Sequence, residues 1–83
     1  MYKLILPNSV QKFLDKIDRN YRNQIYGALL DLEQDPYIGK KLSGKYKEYY
    51  SLRTGVYRII YKIIKEELYI LVLKIRHRKE VYK

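Results

Sequence analysis

Between Leu52 and Arg76 the chain is written almost entirely in β-formers, interrupted only at Thr54-Gly55 and at the charged trio Lys65-Glu66-Glu67. Tyr57, Ile59, Tyr61 and Ile63 recur at every second position, with Arg58 and Lys62 among the residues between them. A period of two belongs to a strand with one buried face. Turn residues between such runs make hairpins. Three strands over residues 47–53, 56–64 and 68–76 therefore form an antiparallel meander. A sheet with one apolar face needs a cover, and the residues before it must supply one.

They read as doing so. Residues 2–6 make a short first strand ended by Pro7. Asn8 and Ser9 are good N-cap residues, and Gln11 stands three after Asn8 at capping-box spacing. Val10, Phe13, Leu14 and Ile17 then share one helical face. After a break at Asp18-Arg19-Asn20, so do Tyr21, Ile25, Ala28, Leu29 and Leu32, ending before Pro36. Residues 35–44 form a loop punctuated by Pro36, Gly39 and Gly44. The order β-α-α-β-β-β describes an α+β fold, an antiparallel sheet with a two-helix hairpin packed on one face. Residues 1–83 make a single domain.

The hydrophobic pattern also sorts the charges. A two-residue loop at Thr54-Gly55 sets Ser51 opposite Arg58, and a three-residue turn at 65–67 sets Arg58 opposite Lys74. One face then carries Tyr50, Leu52, Tyr57, Ile59, Tyr61, Ile63, Tyr69, Leu71, Leu73 and Ile75, and takes the helices. The other carries Lys47, Tyr49, Ser51, Arg53, Arg58, Lys62, Lys74 and Arg76 around Ile60, Ile70 and Val72. A slip of one residue would bury the arginines, so the pattern itself gathers the cations. Cations opposite one another destabilise a sheet, and a face that collects them is suited to a polyanion.

Eighteen Lys and Arg against nine Asp and Glu leave a net charge of +9. On so small a domain that imbalance draws nucleic acid or an acidic protein. The absence of cysteine excludes disulfides, thiolate zinc sites and a thiol nucleophile. His77 is the only histidine, so no metal site and no cofactor are expected. A core this thin leaves no cleft for a small-molecule substrate. The longest late apolar run, 68–73, is far too short to span a bilayer, and residues 2–6 are too short for a signal peptide. The expectation is a cytoplasmic protein that does not engage a membrane.

Cleaving RNA with its own 2′-hydroxyl requires in-line positioning, stabilisation of the phosphorane's negative charge, and proton transfer. Arginine suits the second task, because its fork matches two phosphate oxygens and it cannot lose its charge. Tyrosine suits base stacking, and Tyr82 and Tyr49 are the candidates. His77 has a useful reference pKa, but alternation points it away from Arg76 and Arg78.

The stretch Leu52-Arg53-x-Gly55-x-Tyr57-Arg58-Ile59-x-Tyr61, followed by Arg76-His77-Arg78-Lys79-x-Val81-Tyr82, resembles the RelE/ParE toxin superfamily, most closely its RelE-type mRNA interferases. The resemblance implies a toxin of a type II toxin–antitoxin system that cuts mRNA in the ribosomal A site. It implies that Arg58 stabilises the reacting phosphate, Arg76 assists the leaving group and Tyr82 stacks on the substrate. Lys47, Tyr49, Ser51, Arg53, Lys74 and Arg78 are the expected RNA-binding residues. The implied partners are an acidic RelB-like antitoxin wrapping the basic face, the ribosome and mRNA. Two lysines of the best-known RelE pattern are replaced here by Tyr49 and Ser51, which leaves Lys47 and Arg53 as possible substitutes. The alternatives are a ParE-like, non-enzymatic toxin that binds gyrase, and a basic RNA- or ribosome-binding module without chemistry.

Overall fold

The computed structural model describes residues 1–79; Tyr82, expected to stack on substrate, lies outside the described residues. The elements run β1 (Lys3–Ile5), α1 (Asn8–Lys16), α2 (Arg19–Gln34), a 3-10 turn at Pro36–Ile38, β2 (Lys40–Lys41), a second 3-10 turn at Gly44–Tyr46, then β3 (Tyr50–Thr54), β4 (Tyr57–Ile64) and β5 (Tyr69–His77). The sheet order is β1-β5-β4-β3-β2. β3, β4 and β5 form the expected antiparallel meander. Two short edge strands extend it: β1 lies parallel on β5, and β2 antiparallel on β3. Among the described residues no helix is long and apolar enough to cross a membrane.

The helices are held at their ends by backbone-directed contacts. α1 starts at Asn8 itself, with Pro7 in the cap position and no side-chain cap, so the Asn8–Gln11 box does not form. The Pro7 carbonyl instead accepts from the N–H groups of Val10 and Gln11. α2 is capped by Asp18, whose carboxylate accepts from the Asn20 N–H at 2.8 Å, as N-cap chemistry requires. Arg22 then ties the helices together. Its guanidinium donates to the carbonyls of Leu14, Asp15 and Ile17, satisfying groups that a helix C-terminus leaves orphaned. The buried stripes Val10/Leu14 and Ile25/Ala28/Leu29/Leu32 meet Ile59, Tyr61, Ile70, Val72 and Ile75 of the sheet in one core.

The hairpin registers differ from the sequence expectation in an instructive way. The β3–β4 loop is Gly55-Val56, with Thr54 opposite Tyr57 and Arg53 opposite Arg58. Gly55 has φ +60, the conformation that the first position of such a loop demands. The shift moves partners by two residues and leaves every face unchanged.

The β4–β5 loop has a larger effect. It takes four residues, ending at Leu68 with φ 58, so Ile64 opposes Tyr69. That parity brings Ile70 and Val72 to the helix side, where both are fully buried, and sends Tyr69 and Leu71 to the open side. A bulge then resets the phase: Tyr61 opposes Val72 but Ile60 opposes Lys74, leaving Leu73 as the extra residue. Beyond it Ile75 returns to the core, while Lys74 and Arg76 face outward. Arg58 is therefore opposite Arg76 rather than Lys74, and of the expected outer apolar patch only Ile60 stays on that face.

Candidate nucleic-acid interface

Combining the two registers aligns Arg53, Arg58 and Arg76 in a single row across three strands. The next row reads Lys40, Ser51, Ile60 and Lys74 across four. Directly opposed residues share a face with Cβ atoms about 4.5–5.5 Å apart, so five cations stand over two adjacent rows. Arg58, Arg76 and Lys74 are half-buried, and Arg53 and Lys40 are exposed. Among the described residues no carboxylate lies within ion-pair distance of any of the five. The single ion pair among the described residues, Lys62 to Glu48 at 3.9 Å, is elsewhere. A shallow hollow of about 530 Å³, lined by Gly39, Lys40, Ser51, Arg53 and Arg58 among others, opens beside the row.

The remaining sequence candidates are distributed unevenly. Ser51 is buried beside Ile60. Arg78 is exposed just past β5, its N–H donating to the Val56 carbonyl, which holds it beside the β3–β4 loop and near the arginine row. Tyr49 lies just before β3, its carbonyl accepting from the Leu42 N–H. Lys47, expected in the strand, instead caps the Gly44–Tyr46 turn. It lines a different hollow, with Lys41, Lys62 and Lys65. Lys47 and Glu48 form a turn and Tyr49 is irregular before β3 begins at Tyr50, so alternation cannot be extended back to Lys47. His77 falls on the helix side, its ring 5.4 Å from that of Tyr57, in keeping with alternation.

Residues 4–82 match the family described as ParE toxin of type II toxin–antitoxin system, parDE. The chain belongs to the ParE toxin family. Toxin RelG of Mycobacterium tuberculosis (strain ATCC 25618 / H37Rv) is 33% identical over 57 residues, a match spanning 68% of this chain and 66%, just under two thirds, of that relative. A chain of the toxin–antitoxin complex RelBE2 from Mycobacterium tuberculosis superposes with a TM-score of 0.84 at 25% identity, over 93% of this chain and 98% of that one. The archaeal RelE–RelB complex from Pyrococcus horikoshii OT3 gives 0.82 at 24%, over 96% and 98%. The isolated E. coli RelE toxin gives 0.81 at 24%, over 93% and 84%. The superfamily suggested by the motifs is thus the right one, and the fold is RelE-like.

One positioning element of this toxin escaped the sequence reading. Tyr61 sits at the centre of β4 and is fully buried. Its hydroxyl donates to the Pro36 carbonyl at 2.7 Å and accepts from the Gly39 N–H at 3.1 Å. Burial pushes this phenol up to about 12. A side chain at Gly39 would collide with the Tyr61 hydroxyl, so glycine is required there. The clamp fixes the strap that leads into β2, and β2 carries Lys40 to the edge of the arginine row. The available signal was chemical: a tyrosine in the middle of a core strand needs a partner for its hydroxyl.

Proposed function

We propose that this type II toxin is an endoribonuclease that cleaves mRNA on the ribosome. The observation that carries the reading is the in-register row Arg53–Arg58–Arg76, which no carboxylate among the described residues neutralises. In the reaction the 2′-oxygen attacks the adjacent phosphorus and the 5′-oxygen leaves, giving a 2′,3′-cyclic phosphate and a 5′-hydroxyl. Arg58, at the centre of the row, binds the phosphate and stabilises its developing charge. Arg76, directly across the ladder, supports the leaving oxygen. Tyr82 stacks on a base. Donors fixed on a sheet before the reaction need no reorganisation during it, and one such donor is worth about 10²–10³ in rate. Arg53, Lys40, Lys74 and Arg78 bind flanking phosphates. A row without a deep pocket suits a substrate that the ribosome positions, because orientation is then supplied from outside.

The same face is the docking site for an acidic, RelB-like antitoxin, whose carboxylates would pair the arginines and cover them. The structural neighbours that are toxin–antitoxin complexes support such a partner.

The test is to incubate the toxin with programmed ribosomes and map the mRNA ends, comparing wild type with Arg58→Ala and Arg76→Ala. Cuts in the A-site codon that need ribosomes and vanish in both variants are the expected result. Absence of cutting by a wild-type protein that is toxic in cells would overturn the reading. DNA breaks accompanying that toxicity would favour the gyrase-binding alternative, which the family-level match to ParE toxins keeps in view.

A further inference from the structure

A second cationic site lies at the other end of the sheet. Lys41, Lys47, Lys62 and Lys65 line a hollow of about 360 Å³ with Glu48, over a floor that includes Tyr50 and Ile63. Lys62 is four residues from Arg58 along β4, about 13 Å at the rise of a strand. Glu48 is the only carboxylate in the lining, and its 3.9 Å pairing joins a half-buried Lys62 to a largely exposed carboxylate, a contact that solvent screening leaves with little energetic weight. Lys65 has its ammonium 5.9 Å from the Tyr37 ring.

Edge protection explains part of this charge, because lysines on a short edge strand discourage pairing with another sheet. That accounts for Lys41 on β2. It does not account for Lys62 on an interior strand, nor for Lys47 and Lys65 in the neighbouring turns. What joins the two sites is β2 itself. Lys40 lines the hollow beside Arg53 and Arg58, and the next residue, Lys41, lines the lysine hollow. Lys40 faces the open side with Ser51 and Lys41 the helix side with Tyr50, so the two lysines carry positive charge around the β2 edge from the hollow beside the arginine row to the lysine hollow. A single phosphate would fill one hollow. A track needs a ligand whose charge repeats along its length.

We infer that the β2 edge and the lysine hollow form a path for the RNA backbone leading away from the phosphate held at the arginine row. The inference rests on the RNA reading above. The residue types agree with it: lysines are point charges that bind phosphates without reading sequence, whereas the forked arginines are confined to the proposed reacting end.

The experiment measures binding of two single-stranded RNAs over a range of salt concentrations, one a dinucleotide and one long enough to cover both hollows. Wild type is compared with the triple variant Lys41→Gln, Lys62→Gln, Lys65→Gln, and thermal melts check that each is folded. Each phosphate contact on a single strand contributes about 0.7 to the slope of log K against log salt. The triple variant should therefore lower the slope for the long RNA by about 2 and leave the dinucleotide unchanged. An unchanged slope for the long RNA, or an equal fall for both RNAs, overturns the path. Weakened binding of an acidic antitoxin peptide with RNA binding intact also overturns it, assigning the hollow to protein. Because the readout is binding, wild type that binds RNA along this path but cuts no mRNA on ribosomes refutes only the cleavage reading.

Discussion

The two faces of the sheet are built under opposite rules. On the helix side the buried stripes of both helices close on the sheet in one core, and the buried phenol of Tyr61 has both a donor and an acceptor. On the open side three arginines stand side by side without a counter-ion among the described residues. The first face holds the chain together; the second works against it, since like charges directly opposite destabilise a sheet. Under the proposed function, the pleat separates folding from activity. Changes on one face should affect stability, and changes on the other should affect activity.

The largest effect should come from breaking the closed face. Leu32→Ala, at a fully buried position of α2, should cost about 2–5 kcal/mol, read by urea denaturation. That is much of the stability of so small a domain. Arg58→Ala should do the reverse. Cleavage should fall by about 10²–10³, while the melting temperature holds or rises as repulsion in the row is relieved. A large loss of stability in that variant would refute the separation.

Deleting Leu73 sharpens the comparison at the point where the faces are exchanged. Removing the extra residue leaves a regular ladder in which Val72 still faces the helices and Lys74 and Arg76 still face outward. The variant should therefore fold. Bulges bend and twist the strand that carries them, so the deletion should re-aim Arg76 and slow cleavage by up to about 10²-fold. Wild-type rates in a folded deletion variant would show that the bulge has no part in positioning.

The smallest effect concerns the clamp between the faces. Tyr61→Phe leaves the Gly39 N–H and the Pro36 carbonyl unpaired, at about 1–3 kcal/mol. The folded-state pKa of Tyr61 is raised, from 10.0 to about 12. Its contribution is therefore complete below pH 10 and is lost as pH rises towards 12. Urea midpoints of wild type and variant should differ at neutral pH and converge over that window.

How far the sequence could be read follows from the same contrast. From Tyr57 to Ile63 apolar and polar residues alternate around Arg58 and Lys62, so β4's faces were legible. From Leu68 to Leu73 every residue is apolar. A run without polar residues carries no phase, and neither the four-residue loop nor the bulge at Leu73 could be inferred from it. Lys74, Ile75 and Arg76 restored the alternation, which is why Arg76 was put on the right face with the wrong partner assigned to Arg58. β2 was illegible for another reason: two lysines in a loop look like solvated charge until a neighbouring strand pairs them. Lys47 was misplaced by extending a strand through residues that turn.

The parallel pairing of β1 with β5 has a consequence for how the molecule comes into being. Lys3, Leu4 and Ile5 find their partners at Tyr69, Ile70 and Leu71, more than sixty residues later in synthesis. Contacts so distant along the chain close late and slowly. The sheet cannot acquire its final edge, nor Arg76 its place beside Arg58, until β5 has left the ribosome's exit tunnel. The arginine row is therefore among the last features of the fold to assemble, because its third member arrives only with β5.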